Sequence, residues 1–233
     1  MDGAVRGPEV PGWVPRPAPE PVMLNGDWVD VVPLSSAHFA DVFATTCDPE
    51  LPDLWTYRPI ERPANLADLW MHLAEQIDAP AEVAFGFRPR IGPNAGTVCG
   101  IASYARVAPA HGQIEVAGVL LGSGLARTAA GTEALHLLMR HAFDDLGYRR
   151  FEWKCDALNE PSRVAAARLG FTYEGRFRQH LVVKGHNRDT DWFSITDAEW
   201  PRIRAAHQRW LAPENFDGAG AQRTRLSDLI APG

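Results

Sequence analysis

"LARTAAGTEALHLLMRHAFDDLGY", Leu125–Tyr148, runs a loop of Arg, Thr and small residues straight into an amphipathic helix. Leu135, Leu138, Met139, Ala142 and Leu146 recur at i, i+3, i+4, i+7 and i+11, one apolar stripe, and Gly147 stands where helices commonly end. The first turn carries little charge. Such a start is either a tight turn before a packed helix or an N-terminus whose free backbone N–H groups suit a phosphate.

Before this stretch, "EVAFGFRP", "GTVCGIASYARV" and "GQIEVAGVLLG" are short Val-, Ile- and aromatic-rich runs split by Gly and Pro turns, an antiparallel meander. The middle run is apolar on both faces and reads as a central strand covered on both sides. After it, "RRFEWKCDA" alternates, with Phe151, Trp153 and Cys155 on one face. Strand, helix, strand around the opening stretch implies a parallel pair. "NEPSRVAAARLGF" predicts a helix capped by Asn159, with Pro161 in its first turn and Gly170 at its end. "FTYEGRFRQHLVV" and "RDTDWFSIT" flank the turn "KGHN" as a hairpin.

Farther out, Asp27–Leu34 reads as a first strand, and Ser35 or Ser36 caps a helix carrying Phe39, Val42 and Phe43. "LPDLWTYRP" is irregular and aromatic, and "ANLADLWMHLAEQIDA" is helical by its apolar spacing. "DAEWPRIRAAHQRWL" predicts a last helix starting at Asp197 with Pro201 in its first turn. The order β-α-α-β-β-β-α-β-α-β-β gives one mixed α/β sheet, mostly antiparallel with a central parallel pair and flanking helices. Residues 21–212 form that domain. A Pro/Gly-rich flexible arm, 1–20, precedes it, lying across a surface or disordered; a polar, loosely held tail, 213–233, follows.

Bulk properties exclude several classes. The 233 residues, 45% hydrophobic and 22% charged, can bury a sizeable core. A net charge of −6 speaks against nucleic acid as the partner. No apolar run has the ~18 residues of a membrane span, and no signal-peptide pattern opens the chain. Cys47, Cys99 and Cys155 are odd in number and scattered, which favours buried free thiols in a reduced, cytoplasmic protein. G-x-x-x-x-G-K-[ST] and H-E-x-x-H are absent, and "GSGLAR" lacks the third Gly of a dinucleotide fingerprint. No metal is expected.

Together, in this order, "IEVAGVLL" with "ARTAAGTEA", "NEPSRVAAARLGF" and "YEGRFRQHLVVKGHNRDTDWFSITDAEW" resemble the GCN5-related N-acetyltransferase (GNAT) superfamily. The likeness is closest to its RimJ/RimL-type ribosomal-protein acetyltransferase branch and covers roughly Asp27 to Leu211. It implies acetyl-CoA as co-substrate and direct acetyl transfer to a primary amine, a protein N-terminus or a small molecule, within a ternary complex; a homodimer fits as well. The family loop, Arg/Gln-x-x-Gly-x-Gly/Ala, binds the coenzyme A pyrophosphate through backbone amides. Here it corresponds to Arg127, Thr128, Ala129, Ala130, Gly131 and Thr132, with Ala130 and Thr132 where glycines are usual. The Thr132 hydroxyl could donate to a phosphate oxygen.

The resemblance further implies that Val116, Val119 and Leu120 line the arm of the cofactor, with Asn159 also reaching it. Glu115, the only acidic residue between Glu82 and Glu133, stands where several relatives carry a catalytic carboxylate. It is either the base or a side chain that simply faces solvent or pairs with an arginine. The tyrosine that many relatives place on the following helix is Ala166 here, and Ser162 is the alternative donor to the leaving thiolate, or else only a reinforcement of the helix start. Trp55, Tyr57 and Tyr104 are acceptor-pocket candidates, Tyr104 equally a packing residue. Arg176, Arg178, Lys184, His186 and Arg188 form a basic cluster around the last hairpin, read first as a solvated edge. Two other readings stay open: transfer from a different acyl-CoA, and a non-catalytic acyl-CoA sensor or scaffold.

Overall fold

One eight-stranded sheet organises the computed structural model, which describes residues 6–50, 54–79, 81–218 and 220–231. The strands are β1 (Leu24–Asn25), β2 (Val29–Pro33), β3 (Val83–Pro89), β4 (Gly100–Ala108), β5 (Gln113–Leu121), β6 (Arg150–Asp156), β7 (Thr172–Val183) and β8 (His186–Thr196). The helices are α1 (Phe39–Thr46), α2 (Leu66–Asp78), α3 (Ala129–Arg140), α4 (Glu160–Leu169), α5 (Trp200–Leu211) and α6 (Leu226–Ile230). In space the strands run β1-β2-β3-β4-β5-β6-β8-β7. Every neighbouring pair is antiparallel except β5–β6, the pair that α3 connects.

That parallel pair is short. Gln113, Ile114 and Glu115 stand opposite Arg150, Phe151 and Glu152, and there the pairing ends, although both strands continue. Gly118, at φ +62°, bends β5 just past this point. β4–β5 pairing slips in the same region, between Ile101 and Ser103. The two strands therefore diverge into a cleft with one open edge on each side.

Alternation along the strands separates two cores. Phe85, Tyr104, Ile114 and Phe151 face α3 and α5 in the larger one. There the Tyr104 hydroxyl donates to the Leu138 carbonyl at 2.6 Å. His136 of α3 and His207 of α5 stack at 5.2 Å, and burial lowers their pKa values to about 3 and about 4. Both are neutral packing residues. On the opposite face, Leu69 and Leu73 of α2 and Val42 of α1 pack on Val32, Ile101 and Leu120 with Trp55. Each such fully buried aliphatic side chain contributes roughly 1.5–3 kcal/mol.

Three local expectations change. The first helix opens with a 3-10 turn, Ser36–His38, capped by Ser35. The helix expected from Asp197, α5, begins at Trp200 and is followed by α6; the Glu199 carboxylate turns back to accept from the Thr196 N–H at 2.8 Å and holds a turn there. The described part of the C-terminal tail is anchored rather than loosely held: Phe216 packs between Trp28 and Trp210, and Leu226 of α6 is fully buried. Its anchors are too sparse in a polar stretch to show periodicity. At the other end, the Trp13 indole donates to the Ala110 carbonyl, and the Pro17 carbonyl accepts from the Tyr148 hydroxyl, so this part of the arm is docked. Among the described residues no helix is long and apolar enough to cross a membrane.

Candidate active site

The start of α3 explains its own composition. Thr128 is the N-cap, its hydroxyl oxygen accepting from the Gly131 N–H at 3.1 Å. The Thr128 N–H donates to the Leu125 carbonyl, and the Thr132 N–H to the Thr128 carbonyl. Of the donors expected from the sequence, those of Ala129 and Ala130 are left without a partner among the described residues, joined by that of Arg127. Arg127 is exposed at φ +62°, so its amide and the helix start form a short concave run of donors, where the helix dipole favours an anion. Gly131 is needed for packing: a Cβ there would meet the Leu125 carbonyl oxygen at 2.3 Å. The Thr132 hydroxyl donates to the Thr128 carbonyl and accepts from Arg168, so it is not free to donate to a phosphate. The acid of this region, Glu133, points inward and accepts the N–H groups of Asp27, Trp28 and Val29 at 3.0, 2.7 and 2.9 Å.

At the vertex of the cleft stands Glu115. It is 1% exposed, so the solvent-facing alternative does not hold. It is paired with Lys154 Nζ at 3.1 Å and Arg106 Nε at 3.4 Å. Burial raises its carboxyl pKa, opposed by Lys154 and Arg106, while the facing Glu152 pushes it further up. Glu152, also buried, accepts from Arg150 Nε at 2.7 Å and Gln113 Nε2 at 3.0 Å. Arg150 reaches on to both oxygens of Glu174, at 2.7 and 2.5 Å. A cavity of about 320 Å³ opens over this network, between Arg106, Arg150, Glu152, Glu174, Phe177 and Trp192. The Arg106 guanidinium lies 5.2 Å above the Trp192 ring, on a backbone at φ +48°. Lys154 also lies over Trp192, at 5.4 Å, so the hollow joins a buried acid able to take a proton to cations that disfavour a charged ammonium and leave room for a neutral amine.

Across the cleft, Asn159 caps α4 by accepting the Ser162 N–H at 3.2 Å. The Ser162 oxygen accepts the Trp153 indole N–H at 3.0 Å, and its hydroxyl bonds to the Cys155 sulfur, which opposes the effect of burial there. Burial pushes the Cys155 thiol up, which keeps it protonated and unsuited to nucleophilic attack. The three cysteines of the chain are all free and buried.

The other sequence candidates separate. Val116 faces the larger core, Leu120 the α1–α2 core, and Val119 is partly buried against the former. Their unpaired backbone edge, rather than their side chains, borders the cleft. Tyr104 is fully enclosed under α3 and lines no pocket. Trp55 is 1% exposed and donates to the Thr46 carbonyl, which makes it an anchor, whereas Tyr57 is half-buried on the same segment. The basic cluster divides: Arg178 and His186 are exposed, as a solvated edge would have them, while two others are engaged. Lys184, at the turn of the β7–β8 hairpin, donates to the Trp55 carbonyl at 2.9 Å and pairs with Glu61, strapping the hairpin to that segment. Arg176 pairs with the buried Asp191.

Sequence reasoning missed Arg106, Glu152, Lys154 and Trp192. Glu152 and Lys154 had a signal, since they alternate with the apolar Phe151, Trp153 and Cys155. What brings them beside Glu115 is the parallel register, which no local pattern encodes.

Comparison with known proteins agrees with this architecture. Residues 29–172 match the family model described as "Acetyltransferase (GNAT) domain". A GCN5-related N-acetyltransferase from Brucella melitensis is 40% identical, with a TM-score of 0.91 over 95% of this chain and 99% of that one. A probable GNAT-family acetyltransferase from Chromobacterium violaceum is 33% identical, with a TM-score of 0.76 over 85% and 98%. The Bacillus subtilis protein named "Putative ribosomal N-acetyltransferase YdaF" is 29% identical over 109 residues, 45% of this chain and 57% of that protein's length.

Proposed function

The chain belongs to the GNAT acetyltransferase family and is an acyltransferase, and on that premise we propose that it carries an acetyl group from acetyl-CoA to a primary amine within a ternary complex. The observation that carries this reading is the break in β5–β6 pairing directly after Glu115 and Glu152, with a buried carboxylate at its vertex. The backbone donors of Arg127, Ala129 and Ala130 grip the diphosphate. The free edge of β5 past Glu115, around Val116, Val119 and Leu120, takes the pantetheine arm, with Asn159 and Ser162 opposite.

The amine enters over Trp192. A lysine-like amine of pKa ~10.4 is mostly protonated near pH 7.5, a handicap of roughly 4 kcal/mol, while an N-terminal amine near ~8 loses only about 1 kcal/mol. Glu115, whose pKa burial raises, takes the proton in its ionised form, directly or through a water. Lys154 and Arg106 balance its charge when it is ionised. The nitrogen then bonds to the acetyl carbon as the carbon–sulfur bond breaks, and Ser162 donates to the departing sulfur. The protonated Cys155 favours this direct route over an acyl-enzyme.

The likeness to YdaF supports placement in the RimJ/RimL-like branch and an N-terminal amine as one acceptor. The buried free thiols support a cytoplasmic setting. Initial rates of thiol release, with acetyl-CoA and amine varied together, test the mechanism. Intersecting double-reciprocal lines are expected. Parallel lines, or release independent of amine, would contradict it.

A further inference from the structure

Three buried polar atoms without a hydrogen-bond partner gather around the bend of β5, and acetyl transfer uses none of them. They are Arg58 Nε, His72 Nε2 and Gln76 Oε1. Arg58 Nη1 donates to the Gly118 carbonyl at 2.9 Å, and a Cβ on Gly118 would lie 3.1 Å from Gln76 Nε2. His72 and Gln76 sit one turn apart on the same face of α2. The His72 ring is 6.4 Å from that of Trp55, over which the Arg58 guanidinium lies at 5.4 Å. Gln76 Nε2 is itself held by the buried Ser103 hydroxyl at 2.6 Å.

A guanidinium taken out of water is costly unless a charge answers it. Arg58 has no carboxylate partner among the described residues. Glu75 acts on His72, and Glu82 on Ser103 and Lys154, but neither pairs with Arg58. Burial alone brings the Arg58 pKa down to about 10. With Nη1 on Gly118, Nε stays buried without a partner, and the edge it forms with Nη2 matches the two oxygens of a carboxylate. The site lies three residues beyond Glu115, on the part of β5 that β6 has left.

We propose that Arg58, with His72 and Gln76 beside it, binds a carboxylate carried by the substrate close to the reacting carbonyl. The proposal deepens the acyl-transfer reading and rests on it. The carboxylate belongs either to a dicarboxylic acyl-CoA or to an amino-acid acceptor, and two paired comparisons separate these sources. In the first, succinyl-CoA is compared with butyryl-CoA on one simple amine. In the second, acetyl-CoA is used with an amino acid and with its amide.

The wild-type chain should favour the carboxylate member of one pair in kcat/KM by about 10- to 100-fold. Arg58→Met should abolish that preference while leaving calorimetric binding of coenzyme A unchanged. Its thermal midpoint should stay level or rise, because an unanswered buried cation is removed. No preference in either pair, or a preference that survives Arg58→Met, overturns the proposal. So does a fall in midpoint with selectivity intact, which would make Arg58 a brace for the 54–61 segment. If no acyl-CoA turns over, the acyl-transfer reading fails instead. The carboxylate site is then judged by calorimetry alone: succinyl-CoA must bind more tightly than butyryl-CoA, and only while Arg58 is present.

Discussion

The two faces of β6 carry opposite chemistry. Phe151, Trp153 and Cys155 look into a dry aromatic core, where polar groups are either satisfied, as Tyr104 is, or held neutral, as His136 and His207 are. Glu152 and Lys154 look the other way, beside Glu115, Arg106 and Trp192, into a charged and partly open hollow. One strand thus separates stability from reactivity. Changes on the first face, Trp153 with its bond to Ser162 excepted, should alter folding and spare turnover; changes on the second should do the reverse.

The largest expected effect is on the reactive face. Glu115→Gln keeps the shape and removes the base, and kcat should fall roughly 10²- to 10⁴-fold in a thiol-release assay, with coenzyme A affinity retained. Unchanged turnover would return Glu115 to a purely structural ion pair.

On the packed face, the histidine pair makes stability depend on acid. Both folded-state pKa values lie below the ordinary 6.5, so above that pH neither group is penalised. As pH falls below 6.5 the unfolded chain takes up protons that the folded one refuses, and stability is lost down to about pH 4 for His207 and about pH 3 for His136. At pH 5 this amounts to about 2 kcal/mol per histidine. Denaturant midpoints measured from pH 7.5 to 5 should fall accordingly, and His136→Leu should flatten the slope.

Gly131→Ala links the two regions, because its Cβ would push on the Leu125 carbonyl. It should cost about 1–3 kcal/mol of stability and weaken coenzyme A binding at the same time. A loss of stability alone would uncouple this loop from the cofactor. Smallest of all, Tyr104→Phe should cost about 1 kcal/mol by freeing the Leu138 carbonyl, with kcat unaltered. A fall in kcat would move Tyr104 into the site after all.

Much of this division was written locally. The stripe Leu135–Leu146 and the alternation Phe151–Cys155 each fix one element and its buried face, and the α3 loop announces its N-terminal donors. Other features depend on partners distant in sequence. Glu115 faces Glu152 only through the parallel register, Lys184 meets Trp55 only once the hairpin folds over, and Phe216 finds Trp28 and Trp210 from the far end of the chain. The Thr132 hydroxyl illustrates the limit well. Its position suits a phosphate ligand, but its proton goes back to the Thr128 carbonyl, and Arg168, from a different helix, takes its lone pair.

Titration calorimetry with coenzyme A and with pantetheine, which lacks the diphosphate, goes most directly to the donors of Arg127, Ala129 and Ala130. One coenzyme A per chain should bind, and pantetheine should bind far more weakly. Equal binding of the two, or no heat from either with folded protein, would contradict the assignment of that helix start as the diphosphate site.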